Sequence, residues 1–297
     1  MLATGYAPAT LRIAANLILN DTTLPMAVVA PAVEAHGLDA LFIGEHTHTP
    51  VDTVHPAYPG GLPEFYKRFL DPFVQLAVAA AVTSKIRLGT GVLLVAERNP
   101  LELAKAVASL DQVSGGRMEV GVGYGWNRLE MLNNGIDPKR RRDVFREKLT
   151  VLRRLWTEET TAAGGEFVRF SESWSLPKPV QRPHPPLLIG AAAGPATFDD
   201  VVDRADGWYP LYEPQLGSQM DDLRRRAGGR LPPVTVVEMA GQRGDPWYFE
   251  DEEARRRLLA TALSCHDAGV SRLSVGVPAD GTARLEAALE VLGQITF

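Results

Sequence analysis

Glu45 and His46 stand side by side where the apolar run 40–45 ends. A carboxylate beside an imidazole at the end of a buried strand is a candidate for general acid–base work. The plain alternative is a polar start to a loop. His48 and His55 follow in that loop. Glu45, His46 and His48 are metal-ligand types, but no further ligand follows at a recognisable spacing, so no metal is expected.

A second chemistry is written at 187–204. The apolar stretch Leu187, Leu188, Ile189 reads as a strand and runs into Gly190, Ala191, Ala192, Ala193 and Gly194. A helix opens at once, with Pro195 in its first turn and Ala196 and Thr197 after it. Residues with almost no side chain let backbone N–H groups approach a ligand, and the helix start adds positive potential. The combination suits a phosphate cradle; an ordinary strand-to-helix turn has the same composition.

The third segment is Gly121-Val-Gly-Tyr-Gly125-Trp126. It holds part of a dinucleotide fingerprint, but Trp126 takes the third glycine position and no suitable acidic residue ends a following strand. The reading taken is that the glycines let backbone pass close to a flat ligand, with Tyr124, Trp126 and Asn127 at its rim. The basic run 139–142, with Arg146 and Lys148, reads as solvated surface by default and as a polyanion contact in the minority reading. No nucleophile elbow is present.

These residues need a scaffold, and the rest of the chain describes one. Near-continuous apolar runs at 11–19, 40–45, 86–95, 118–124, 187–191, 207–211, 234–241 and 273–277 read as strands buried on both faces. Helical patterns fall between them, two of them introduced by Asp71-Pro72 and Asn99-Pro100. Eight β–α units predict an α/β fold: a single (β/α)8 TIM barrel spanning 1–297. An open doubly wound sheet is the runner-up. Two long connections, at about 47–70 and 126–186, both leave the C-terminal ends of strands and read as insertion loops over the active face.

Composition narrows the partners. A net charge of −5 advertises no basic face, so nucleic acid is not expected. No apolar stretch is long enough to span a bilayer and no leader is read at the N-terminus, so a cytoplasmic location is expected. The one cysteine, Cys265, falls in an amphipathic helix pattern and reads as a small core residue.

Taken in order, the segments resemble the luciferase-like monooxygenase superfamily, in particular its coenzyme F420-dependent oxidoreductase branch. The matching pieces are Gly37–His46, Asp71-Pro72-Phe73, Ile86–Val92, Asn99-Pro100, Leu110–Arg117, Gly121–Trp126, Pro177–Pro186 and Ala205–Trp208. The resemblance implies a TIM barrel with reduced flavin or deazaflavin at its C-terminal mouth. It places the ring against Glu45, His46 and the third strand, where a non-proline cis peptide at Gly91–Val92 forms a bulge. It places the coenzyme phosphate on Gly190–Thr197, and Gly123, Trp126 and Asn127 beside the ring. A sugar-phosphate dehydrogenase of the family has a catalytic glutamate where this chain has Tyr124, so Tyr124 either donates a proton or packs.

The reaction implied is hydride transfer between coenzyme F420 and a small organic substrate. His46 serves as acid–base partner, Glu45 orients His46 or the ring, and the loop from Tyr58 to Tyr66 closes over the substrate. Two readings stay open beside it. One is an FMN-dependent monooxygenase using O2; the other is a non-catalytic flavin-binding barrel. The family habit implies a homodimer.

Overall fold

The computed structural model describes residues 10–297 apart from 56, 59, 240 and 242–245. The first half runs β1 (Arg12–Leu17), α1 (Met26–Ala35), β2 (Ala40–Ile43), α2 (Pro72–Val82), β3 (Arg87–Leu94), α3 (Pro100–Val113) and β4 (Met118–Gly123). Two helices follow, α4 (Arg128–Asn133) and α5 (Arg141–Thr157), then strands β5 (Thr160–Gly164) and β6 (Arg169–Trp174). The last part is β7 (Leu187–Gly190), α6 (Pro195–Arg204), β8 (Gly207–Trp208), α7 (Leu216–Arg226), β9 (Thr235–Glu238), α8 (Glu252–Ala268), β10 (Arg272–Gly276) and α9 (Thr282–Gly293).

Eight of these strands pair in parallel in the order β8-β7-β4-β3-β2-β1-β10-β9. Single bridges from Trp208 to Val234 and from Leu211 to Val237 bring β8 back beside β9. The sheet therefore curls into a nearly closed barrel, and the open doubly wound sheet is ruled out. β2 and β4 are buried at every position, as strands covered on both faces must be. Inside the barrel a small cluster of Ala14, Ala40, Phe42, Leu188, Tyr209 and Val237 packs beneath the mouth. The larger core lies between strands and outer helices.

The caps form as their residue types dictate. Asp71 Oδ1 accepts from the Phe73 and Val74 N–H groups, and Asn99 Oδ1 accepts from Leu101 N–H. Cys265 is buried, and burial pushes its thiol up to about 12.

Several expectations are corrected. β8 stops at Trp208 instead of Leu211, because Pro210 has no N–H for the ladder. β9 stops at Glu238, and residue 240 of the expected strand lies outside the described residues, as do Pro56 and Pro59 of the first insertion. The N-terminal stretch 1–9, on which the expectation of no leader rests, also lies outside them. The second insertion holds two unanticipated pieces, the short helix α4 and the antiparallel hairpin β5–β6. Among the described residues no helix is long and apolar enough to cross a membrane.

β3 carries the feature that shapes the mouth. Its Gly91–Val92 peptide is cis, and its register with β4 slips between Thr90 and Leu93. The bulge aims the Val92 side chain at two neighbouring strands. A Cβ on Gly123 would lie 2.7 Å from Val92 Cγ2, and one on Gly190 would lie 2.5 Å from Val92 Cγ1. Both positions must be glycine to admit Val92. The neighbouring strand by itself therefore demands Gly123. Gly121 is the same case, since its Cβ would meet the Thr90 carbonyl oxygen at 2.0 Å.

Candidate active site

Two cavities meet at the C-terminal end of the barrel. The mouth, of about 360 Å³, has Asn16 and Tyr209 among its lining residues, together with His46, Val92, Trp126 and Met239. The second, of about 560 Å³, runs along Gly123, Tyr124, Arg141, Arg142 and the whole of Gly190–Thr197. Val92, Leu94, Trp126 and Gly190–Ala193 line both, so the two are one groove.

At the mouth His46 is held from both ring nitrogens. Trp126 Nε1 lies 3.2 Å from His46 Nε2, and His46 Nδ1 lies 2.7 Å from Glu130 Oε2. An indole N–H only donates, so Nε2 accepts and Nδ1 carries the proton given to Glu130. Glu130 is fully buried and comes from the first turn of α4; its other oxygen accepts from the Thr47 N–H at 3.0 Å. Asn127 sets that turn. Its Oδ1 accepts from the Leu129 and Glu130 N–H groups, and its Nδ2 donates to Thr53 Oγ1. Asn127 is thus a helix cap and lines neither cavity.

Glu45 lines the mouth and makes no bond to His46, so of its two expected roles the one through His46 has no support here. Its carboxylate accepts from Leu94 N–H at 2.7 Å and pairs with Arg98, which also reaches Asp71 at 3.0 Å. Burial pushes the Glu45 carboxyl up, and Arg98 and the Leu94 N–H oppose that shift. The role is to tie the end of β2 to the end of β3 just past the bulge. His48 turns to Thr47 and Asn133. Among the described residues no group of three His, Cys, Asp or Glu side chains could hold a metal. His55 joins a wall of rings with Tyr58, Tyr66, Phe69 and Trp126, and His46 packs against its inner side.

Gly190–Thr197 lines the second cavity, with α6 opening at Pro195. The first intrahelical bond of α6 runs from Phe198 N–H to the Gly194 carbonyl at 2.9 Å. Pro195 has no N–H, so Ala196 and Thr197 present the two unpaired donors of the helix start. A Cβ on Gly194, which lines the groove, would meet nothing within 4 Å. Arg142 closes the other side. Its guanidinium sits over the Tyr124 ring at 4.3 Å, and Nη2 donates to Thr197 Oγ1 at 3.4 Å. Its Nη1 is buried with no hydrogen-bond partner. A buried guanidinium N–H left unpaired is costly unless an anion satisfies it.

Tyr124 belongs to this side and not to His46. Its hydroxyl donates to Asp200 Oδ2 at 2.7 Å, and Arg146 pairs with the other Asp200 oxygen at 2.7 Å. Burial and the Asp200 charge push the Tyr124 hydroxyl well up. A phenol so held supports Arg142 and α6. The basic run divides accordingly. Arg141 and Arg142 line the cradle, Arg140 pairs with Asp143 and Glu166, and Lys148 donates to the Ala96 and Arg98 carbonyls.

Sequence reasoning missed Glu130, and a signal for it existed. Asn127 and Glu130 have the spacing of a capping box. Arg142 was visible only as one member of the basic run. Asn16 and Tyr209, bonded at 3.1 Å on the mouth side of the barrel, gave no local signal.

The groove fits a flat coenzyme ending in phosphate: small residues, two helix-start N–H groups and an unpaired buried guanidinium converge at one end. The luciferase-like monooxygenase family model matches residues 25–238. An uncharacterized protein of Mycobacterium tuberculosis is 46% identical over 196 residues, which cover 65% of this chain and 69% of that protein. An F420-dependent secondary alcohol dehydrogenase solved with an F420–acetone adduct superposes with a TM-score of 0.73 at 16% identity, over 96% of this chain and 98% of its own. The oxygenating constituent of 3,6-diketocamphane monooxygenase from Pseudomonas putida, solved with FMN, gives 0.72 at 16% identity, over 96% and 97%. At that identity the two structures establish the fold, and between them they use both coenzymes. The family match extends over well more than half the chain: this protein is an enzyme of the luciferase-like monooxygenase family.

Proposed function

We propose that this enzyme moves hydride between coenzyme F420 and a small organic substrate in the barrel mouth. The observation that carries the reading is the unpaired Nη1 of Arg142 at the far end of a groove that begins at His46. When bound, the deazaflavin supplies a two-electron hydride carrier. Gly190–Thr197 and Arg142 would hold its phosphate, and Gly91, Val92 and Trp126 would bound its ring. Arg141 adds a second guanidinium beside the cradle, which suits a coenzyme whose anionic tail continues past the first phosphate.

His46 would take or give the substrate proton at Nε2. That atom now accepts from Trp126, so the indole must release it first. Glu130 fixes the ring orientation and the tautomer from behind, as a buried carboxylate does for a catalytic imidazole. The aromatic wall, with Tyr58 and Tyr66, excludes water from the exchange.

The cradle alone also suits FMN, which ends in a phosphate monoester, and the family contains such enzymes. Titrating the protein with coenzyme F420 and with FMN, followed by fluorescence, separates the two. Micromolar or tighter F420 binding with weak FMN binding supports the proposal. The reverse order replaces it with an FMN-dependent monooxygenase using O2.

We also propose a homodimer through α2. Val74, Val78 and Val82, one face at helical spacing, are exposed, and Gln75 is the one polar residue of the helix. Sedimentation equilibrium of wild type against Val78→Glu tests this; an unchanged mass rejects it.

A further inference from the structure

Charge is partitioned around the joined cavities. The cradle presents Arg141 and Arg142. The mouth is the opposite: its described lining residues include no Lys or Arg, and they do include the carboxylates Glu45 and Glu213. Glu45 is paired with Arg98. A third carboxylate, Glu130, lies directly behind His46, and His46 in this arrangement is neutral.

Glu213 differs from the other two. It stands exposed between β8 and α7, and among the described residues no cation pairs with it. One oxygen accepts from Gln219 Nε2 at 2.7 Å, and among the described residues none bonds the other. The same cavity is walled by the rings of His55, Tyr58, Tyr66 and Trp126. Ring faces attract cations electrostatically, and the attraction grows as water is excluded.

We infer that the mouth selects a compact organic cation, an alkylated ammonium or an iminium carried on a small ring. Glu213 is the specificity-determining carboxylate, and the aromatic wall is the second partner. This substrate class rests on the reading of the mouth as the substrate site of the proposed enzyme. Anionic groups are directed to the cradle, so one groove sorts coenzyme from substrate by sign. Because Glu213 is exposed, its discrimination is modest, about fivefold, as expected for one charge pair near water.

The test is equilibrium binding to the whole chain at low salt of benzyltrimethylammonium, benzyl alcohol and benzoate, read by tryptophan fluorescence and calorimetry. The ammonium should bind about fivefold tighter than the alcohol, with benzoate weakest. Glu213→Gln should bring ammonium and alcohol within about twofold while the melting temperature stays put. Benzoate binding as tightly as the ammonium, an unchanged ratio in Glu213→Gln, or binding of none of the three overturns the inference. Coenzyme F420 titration of the same protein is independent of these results. Coenzyme binding without ammonium preference rejects the substrate class alone, and ammonium preference without coenzyme binding rejects the coenzyme assignment alone.

Discussion

The cradle and the mouth meet along Val92 and Trp126, yet they are assembled in different ways. The cradle is mostly one contiguous segment, Gly190–Thr197, whose backbone does the work. The mouth joins side chains from distant places: His46 and Glu130 are 84 residues apart, and His46 and Trp126 are 80 apart. A site made of backbone is robust to most changes other than added bulk. A site made of paired side chains fails when one partner is removed.

Four experiments press on that contrast. His46→Ala should lower turnover by about 10²–10⁴-fold while leaving coenzyme affinity within about threefold. Equal losses in both would make His46 a binding residue. At the cradle the pattern should invert. Arg142→Ala and Gly194→Phe should each weaken coenzyme binding by about 10–100-fold, through a lost charge-assisted bond and through added bulk, and each is read by fluorescence titration. Unchanged affinity in both would remove the cradle from the coenzyme site.

A smaller effect separates the two glutamates. Glu45→Ala should cost stability, about 2 kcal/mol, because it leaves Arg98 half-buried with only Asp71. Glu130→Gln should lower turnover by about 10-fold or more with less change in melting temperature. Denaturant melts and steady-state kinetics on both variants check the pair, and the opposite outcome would reassign Glu45 to catalysis.

The smallest effect depends on pH. Burial and the Glu130 charge push the Glu97 carboxyl up to about 8 from its ordinary 4.5. Between those values the folded state keeps a proton that the unfolded chain has lost, so this group's contribution to stability is full below 4.5 and lost as pH rises through 8. Glu97→Gln should therefore gain melting temperature relative to wild type as pH is raised across that window. A pH-independent difference would show that Glu97 is ionised in the folded protein.

The same contrast explains what could be read early. Asp71 and Asn99 cap their helices because a cap is a matter of three or four neighbouring residues. Asn127 has the same signature, but its cap was obscured by the glycine run before it. The hairpin β5–β6 was hidden because its strands alternate weakly and Trp174 is largely exposed. Glu45 and Tyr124 lie just past the ends of β2 and β4 instead of on the strands, and Arg98 and Asp200 claim their polar atoms, which no local pattern announces.

The sequence by itself determined the eight buried strands, the helices between them, the small-residue cradle and, through resemblance, the Gly91–Val92 bulge. Those follow from periodicity, capping and residue size, which act over a few neighbouring positions. Only the tertiary structure decided that Glu130 holds His46, that Asp200 holds Tyr124 and that Arg142 lines the cradle with its Nη1 left without a hydrogen-bond partner. The physical reason is that a side-chain hydrogen bond needs its partners within about 3 Å. Which distant residues come that close is set by how the loops cross the barrel mouth.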